Sequence, residues 1–418
     1  MLFRRTYYLE KLIRHKHNHL IKVITGIRRS GKSFLLFDLF VQHLLDSGVS
    51  DDHIIRIVLD DRANSALRDP DNCLSYIRRT VQDANIYYVL IDEVQLMAEF
   101  VDVLNSLLHI RNADVYVTGS NSRFLSTDII TEFRGRGDEI HIYPLSVSEI
   151  CEAMPDMPWQ QVWQFYLNYG GLPLAVLAPT EQEKAAYLKR LFQETYLKDI
   201  KERYKVKNDM EMEHLLDIIS SSVGSLTNPQ KLSDTFRSNG NAQLSPNTIK
   251  QYLDYFCDAF LLEKAQRYDI KGKRYISTPY KYYFTDLGLR NARLNFRQVE
   301  ETHLMENAIY NELILRDYSV DVGIVDLVAR NQDSKLEHKK IEVDFVVNQG
   351  SERFYIQSAY ALPTMEKQEQ ELRPLRHIAD SFKKIIVVKD DILLRRNEDG
   401  IVTMGLRQFL LDSHSLYL

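Results

Sequence analysis

The chain has 418 residues, too many for one ordinary hydrophobic core, so two to four domains are expected. Its 44% hydrophobic and 27% charged residues are the make-up of a folded globular protein, and a net charge of −5 excludes a general electrostatic pull towards nucleic acid or anionic lipid. Cys73, Cys151 and Cys257 lie far apart with no C-x-x-C or Cys/His ligand spacing, which points to a reducing compartment and to no cysteine metal site. The opening MLFRRTYYLEKL lacks the unbroken apolar segment of a signal peptide. No apolar run approaches the ~20 residues of a membrane span, so the expected location is cytoplasmic, with no membrane partner.

Residues 1–19 read as a short helical lead-in. His15, His17 and His19 alternate there, a spacing that suits a solvated basic segment better than a helical metal tract. From residue 20 the pattern alternates, with predicted strands at 20–25, 54–59, 87–91, 114–118 and 139–143 and predicted helices at 32–46, 72–82 and 99–110. Near-continuous apolar strands separated by helices predict an α/β fold with a parallel sheet covered on both faces.

The first strand and helix frame a phosphate-loop pattern, G-x-x-x-x-G-K-[ST]. It is made by Gly26, Ile27, Arg28, Arg29, Ser30, Gly31, Lys32 and Ser33, with Phe34 opening the apolar helix that follows. The glycines let backbone N–H groups turn inward onto phosphate oxygens, and the helix adds the positive end of its dipole. Lys32 is expected on the β- and γ-phosphates and Ser33 on Mg²⁺. Arg28 and Arg29 are placed to steer a triphosphate.

The strand YYVLI ends in Asp92-Glu93, at the carboxyl edge where open α/β sheets bind ligands. Asp92 is the expected Mg²⁺ holder, and Glu93 the group that polarises the water attacking the γ-phosphate. The next strand ends in Thr118-Gly119-Ser120-Asn121, where Asn121 or Ser120 would sense the γ-phosphate; the competing reading is an ordinary Gly-Ser-Asn turn. Within Glu132-Phe133-Arg134-Gly135-Arg136, Arg136 is the candidate arginine finger, with a solvated basic turn as the alternative.

GIRRSGKS, LIDEVQ, VTGSNS, FRGRGDEIHIYPLSVSEI and the later YGGLPLAV together resemble the AAA-type ATPases of a large bacterial and archaeal family whose C-terminal domain is of unknown function. The resemblance runs through nearly the whole chain. It implies ATP hydrolysis with ATP and Mg²⁺ as cofactors, an ATPase core over 1–144, a small helical lid over 145–210, and a homo-oligomer, hexameric in such families.

Beyond Pro144 the pattern turns helical, at 146–153, 159–169 and 181–204, broken by Gly170-Gly171-Leu172-Pro173. Residues 211–295 read as helix, helix, helix and hairpin, a winged-helix layout. Helices at 211–223, 229–236 and 247–260 are followed by a ribbon around Lys271-Gly272-Lys273. The expected recognition helix carries Asn247, Lys250, Gln251, Asp254 and Asp258, and its aspartates would repel phosphates. The wing over 264–275, with Lys264, Arg267, Lys271, Lys273 and Arg274 interleaved by Tyr268 and Tyr275, could track a DNA backbone; the alternative is a solvated hairpin or a protein contact.

Residues 296–418 begin with a helix at 301–316, then strands at 322–329, 341–347 and 354–359, a helix at 366–379 and a strand at 384–389. That order resembles the restriction-endonuclease-like fold. Its active members place an acid on the first helix, an Asp on the second strand and E-x-K on the third, and the matching positions here are Glu306, Asp344 and Gln357-Ser358-Ala359. Gln357 stands for the acid and Ala359 for the lysine, so a degenerate binding or assembly domain is expected rather than a nuclease. Three functions follow: an ATPase that reorganises a nucleic-acid- or partner-binding C-terminal half, a slow nucleotide-gated signalling or defence switch, and an ATP-coupled nuclease. Glu93 favours the first, because a switch can dispense with a strong base, and Ala359 disfavours the third.

Overall fold

The computed structural model describes residues 3–119, 135–238, 244–330 and 336–418. The chain divides into two compact units, Met1–Pro144 with Asp258–Phe260, and Leu145–Cys257 with Leu261–Leu418.

The first unit is built on a parallel sheet of β1 (Ile21–Thr25), β2 (Ile54–Val58), β3 (Tyr87–Asp92), β4 (Ala113–Thr118) and β5 (Gly137–His141). Their order is β2-β3-β4-β1-β5, with every neighbouring pair parallel. β1 and β3 are buried along their whole length, as unbroken apolar runs require when both faces are covered. One face packs Ile77, Val103, Leu104 and Leu107 from the helices Pro70–Thr80 and Phe100–Leu107; the other packs Leu35, Leu36, Phe40 and Leu44. The expected helix at 32–46 is helical throughout, with a π-helical segment at Leu35–Phe40. Because β4 lies between β1 and β3, the ends of all three meet at one edge.

At the opposite edge, Lys22 is fully buried and paired with Asp114, whose other oxygen accepts from the Tyr116 hydroxyl at 3.0 Å and the His17 N–H at 3.2 Å. His17 and His15 spend their rings on Tyr88 and Asp138, as ordinary structural histidines do. Among the described residues no group of three His, Cys, Asp or Glu side chains could hold a metal. No described helix is long and apolar enough to cross a membrane.

The second unit opens with helices Val147–Ala153, Trp159–Tyr169, Pro173–Leu177 and Glu181–Leu191, the last running on to Tyr204 through a π-helical segment at Phe192–Leu197. Helices Asp209–Ser221, Pro229–Ser238 and Pro246–Asp258 follow, then the hairpin β6 (Leu262–Asp269) and β7 (Arg274–Phe284). The remaining strands are β8 (Ser319–Arg330), β9 (Leu336–Gln349), β10 (Glu352–Ala359), β11 (Lys383–Val388), β12 (Arg395–Arg396) and β13 (Val402–Gly405). The hairpin belongs to the same eight-stranded sheet, ordered β12-β13-β11-β10-β9-β8-β6-β7. β6 pairs in parallel with β8 through Arg267, Tyr268 and Asp269, so one sheet runs across the boundary expected at 295/296.

A buried carboxylate ties the glycine-rich break to this unit. Asp286 accepts the N–H of Gly171 at 2.7 Å and of Leu289 at 2.9 Å. Burial pushes its pKa up to about 6 against the pull of those N–H groups and of Gly288 and Leu172. At Gly170, with φ +70°, a Cβ would lie 2.4 Å from the Asp286 carboxylate, so only glycine fits.

Candidate nucleotide site and a buried charge cluster

The phosphate loop joins the end of β1 to the helix opened by Lys32. Gly26 has φ +133°, and a Cβ there would lie 2.2 Å from the carbonyl oxygen of Ile142; Gly31 caps the helix at φ +94°. Arg28 and Arg29 are exposed, and Arg29 is itself left-handed at φ +70°. Ile27 is buried.

Lys32 folds back on its own loop. Its Nζ donates to the carbonyls of Gly26 at 2.9 Å and Ile27 at 3.1 Å. Burial lowers its pKa to about 8; Glu93 and Asp92 push it up, while Arg28 and Arg29 push it down. Ser30 is fully buried, and its hydroxyl has no hydrogen-bond partner among the described residues.

Ser33 donates to both oxygens of Asp92, at 3.1 and 2.9 Å. Asp92 also accepts from Thr118 Oγ1, which in turn accepts the Glu93 N–H at 3.1 Å. Burial raises the Asp92 pKa, opposed by the Thr118 and Ser33 hydrogen bonds and reinforced by Glu93 and Asp60. Glu93 adopts the left-handed φ of +51°, unusual for a residue with a Cβ, and Gln95 donates to its carboxylate.

The arrangement fits a triphosphate with a divalent ion. A buried hydroxyl without a partner among the described residues, an ammonium hydrogen-bonded to two replaceable neutral carbonyls, and a hydroxyl beside a buried carboxylate lie along the loop and the adjoining strand end. Phe34 lies on the helix just beyond.

The sequence offers Thr118 only as the start of a turn and Asn121 or Ser120 as the sensor; both of those lie outside the described residues. Only a polar residue ending the strand beside Asp92 could have signalled Thr118. Arg136 is exposed and precedes β5, with its carbonyl accepting the Ile21 N–H at 2.9 Å. Since Ile21 pairs with Gly137 at the start of β1, Arg136 sits at the sheet end opposite its own phosphate loop. Within one chain it does not join the site.

In the second unit Glu306, Asp344 and Gln357 do converge, beside Lys281, which no sequence pattern relates to them. Lys281 of β7 is 3% exposed and donates to Glu306 at 2.8 Å and Glu342 at 2.6 Å. The Tyr283 hydroxyl donates to Glu306 at 2.7 Å, and the Ser358 N–H to Asp344 at 2.8 Å. The Gln357 side-chain carbonyl faces the Asp344 N–H at 3.4 Å. Burial lowers the Lys281 pKa, but the charges of Glu306, Asp344 and Glu342 outweigh it and leave the ammonium above its ordinary range. Burial and the Glu306 charge together hold the Asp344 carboxyl well above the usual carboxylate range.

At the hairpin tip Lys271, Lys273, Arg274 and Tyr275 are exposed, whereas Lys264, Arg267 and Tyr268 are half-buried. Lys264 lies over the Tyr280 ring, and Tyr275 packs edge-on to Tyr268.

The sheet order and the phosphate loop define a P-loop domain of the AAA class, and the model described as "AAA domain" matches residues 18–151. A second model, described as a domain of unknown function, matches residues 160–300. An uncharacterized protein of Haemophilus influenzae is 34% identical over 388 residues, covering 92% of each chain. The chain belongs to the same family as this relative, and within it residues 18–151 form the AAA domain. An uncharacterized protein of Methanocaldococcus jannaschii is 26% identical over 403 residues, with 91% of this chain and 84% of that protein covered. Among solved structures, the Aeropyrum pernix Orc1 protein in complex with DNA overlays at a TM-score of 0.29 and 10% identity, covering 70% of this chain and 92% of that one.

Proposed function

We propose that this chain is a Mg²⁺-dependent ATPase whose cycle reorganises a nucleic-acid- or partner-binding second unit. The observation that carries the reading is the unbroken hydrogen-bonded run from Ser33 through Asp92 and Thr118 to the Glu93 backbone, beside the folded-back Lys32. Lys32 exchanges the Gly26 and Ile27 carbonyls for phosphate oxygens, a trade of neutral for charged acceptors that favours binding. Ser33 and Asp92 would hold the ion, which when bound would supply positive charge against the transferring phosphoryl group. Glu93, braced by Gln95, takes the proton of the attacking water, and Thr118 with Asn121 reads the γ-phosphate.

Arg136 serves as a finger only if a neighbouring copy presents it, so the reading includes an ATP-promoted ring, hexameric by family resemblance. In the second unit, residues 145–210 act as the lid, 211–295 as a winged helix, and 296–418 as a degenerate nuclease-like domain. The exposed Lys271, Lys273, Arg274 and Tyr275 supply the contact with DNA. Glu93→Gln tests the chemistry: it should retain ATP binding and lose hydrolysis, and unchanged hydrolysis would move the base elsewhere. Hydrolysis rates with single-stranded DNA, duplex DNA and RNA test the partner; stimulation by none of them would point to a protein partner.

A further inference from the structure

We propose that the first unit carries a second ligand site, a 240 Å³ cavity that takes a small apolar monocarboxylate, with Arg111 and His19 on the carboxylate and the apolar body on Leu20, Ile86, Leu108 and Ile110. Leu20 precedes β1, Ile86 precedes β3 and Ala113 opens β4, so the cavity lies at the sheet edge away from the phosphate loop. An apolar cavity of about 150 Å³ is enough to take a benzene ring, whereas drug-sized ligands need about 300 Å³ or more. The ligand that fits is one ring or one branched alkyl group with a short acidic arm.

Charge decides which end group is recognised. Among the described residues, the Arg111 guanidinium and the His19 ring have no hydrogen-bond, ion-pair or ring partner, although both line the cavity. The other polar side chains of the wall are already engaged. Asp114 pairs with Lys22 and accepts from Tyr116 and the His17 N–H, the His17 ring meets the Tyr88 hydroxyl at 2.9 Å, and the Asn112 amide donates to the carbonyls of Asp83 at 3.0 Å and Asn85 at 2.8 Å. A ligand amine would find no open carboxylate, and a dianion would bring excess charge close to Asp114. What remains open is a planar fork of donors, the shape that a carboxylate matches bidentately. The walls are also set before a ligand arrives. Leu108, Ile110 and Ala113 pack against the core, and the turn carrying Arg111 is tied on both sides, by the Ala113 N–H on the Ile110 carbonyl at 3.0 Å and by the Tyr87 N–H on the Asn112 carbonyl at 2.8 Å. A pre-formed site loses less entropy to ordering when it binds.

The test titrates phenylacetate, and phenylacetamide as its uncharged counterpart, into the full-length protein without nucleotide, read by calorimetry and saturation-transfer NMR. Phenylacetate should bind saturably and at least about tenfold more tightly than the amide. Arg111→Gln should weaken phenylacetate at least about tenfold and leave the amide unchanged, whereas Ile86→Asp should weaken both. Arg111 and Ile86 are exposed, so both variants should unfold at the parental midpoint. Lys32→Ala should bind phenylacetate as the parent does, which separates this cavity from the phosphate loop. Equal affinity for acid and amide, phenylacetate affinity untouched by Arg111→Gln, or binding lost in Lys32→Ala would overturn the proposal. No saturable binding of phenylacetate would overturn it in favour of a protein contact at this face.

Discussion

Two buried lysines, one in each unit, show how partner charge decides what the same side chain does. Lys32 is held by two backbone carbonyls, neutral partners that a phosphate can displace, and burial brings its pKa down to about 8. Lys281 is held by two carboxylates, and with Asp344 they overcome burial and push its pKa up. The first ammonium remains available to a ligand; the second is committed to the fold. A buried ion pair adds little over a well-packed apolar pair, yet removing one partner is costly because the other charge stays buried.

The contrast is tested most forcefully at Lys281. Lys281→Ala should cost about 3 to 5 kcal/mol in denaturant unfolding, since Glu306 and Glu342 lose their counter-charge. A cost below about 1 kcal/mol would show that solvent already screens the cluster. Gly26→Ala comes next: the 2.2 Å approach to the Ile142 carbonyl and the positive φ should distort the phosphate loop, destabilise the first unit by about 3 kcal/mol and remove nucleotide binding, read by calorimetry and thermal unfolding. Asp286→Ala should cost about 2 kcal/mol by leaving the Gly171 and Leu289 N–H groups without their acceptor.

The alternating apolar strands and helices made the parallel sheet legible, because each strand must bury both faces. The phosphate loop was legible because all its parts lie within one short segment. Thr118 was harder to place: Thr118, Gly119, Ser120 and Asn121 are all compatible with a polar strand end, and only the meeting of β3 and β4 selects the residue that touches Asp92. Lys281 was not legible as part of the Glu306 cluster, because the contact joins residues that no local period relates. The continuity of β6 with β8 was hidden for the same reason, since strand pairing across the intervening helices leaves no sequence spacing to read. The π-helical turn at Leu35–Phe40 has no sequence signal that we recognise.

The smallest expected effect is in pH. The Lys32 pKa lies below the ordinary lysine value, so the free site loses its ammonium as pH rises through about 8, while bound phosphate favours the charged form. ATP binding should take up a proton near pH 8, and its affinity should fall by up to about tenfold towards pH 9. Calorimetry in buffers of different ionisation enthalpy reads the uptake directly; proton release would reverse the assignment.

Titration of ATP·Mg²⁺ into Lys32→Ala, followed by calorimetry and set beside its unfolding curve, separates an available lysine from a committed one most directly. Loss of the ammonium that the proposed mechanism places on the phosphates should weaken binding at least about tenfold while the unfolding midpoint stays near that of the parent. Affinity equal to the parent's would contradict the account, because Lys32 would then hold no phosphate.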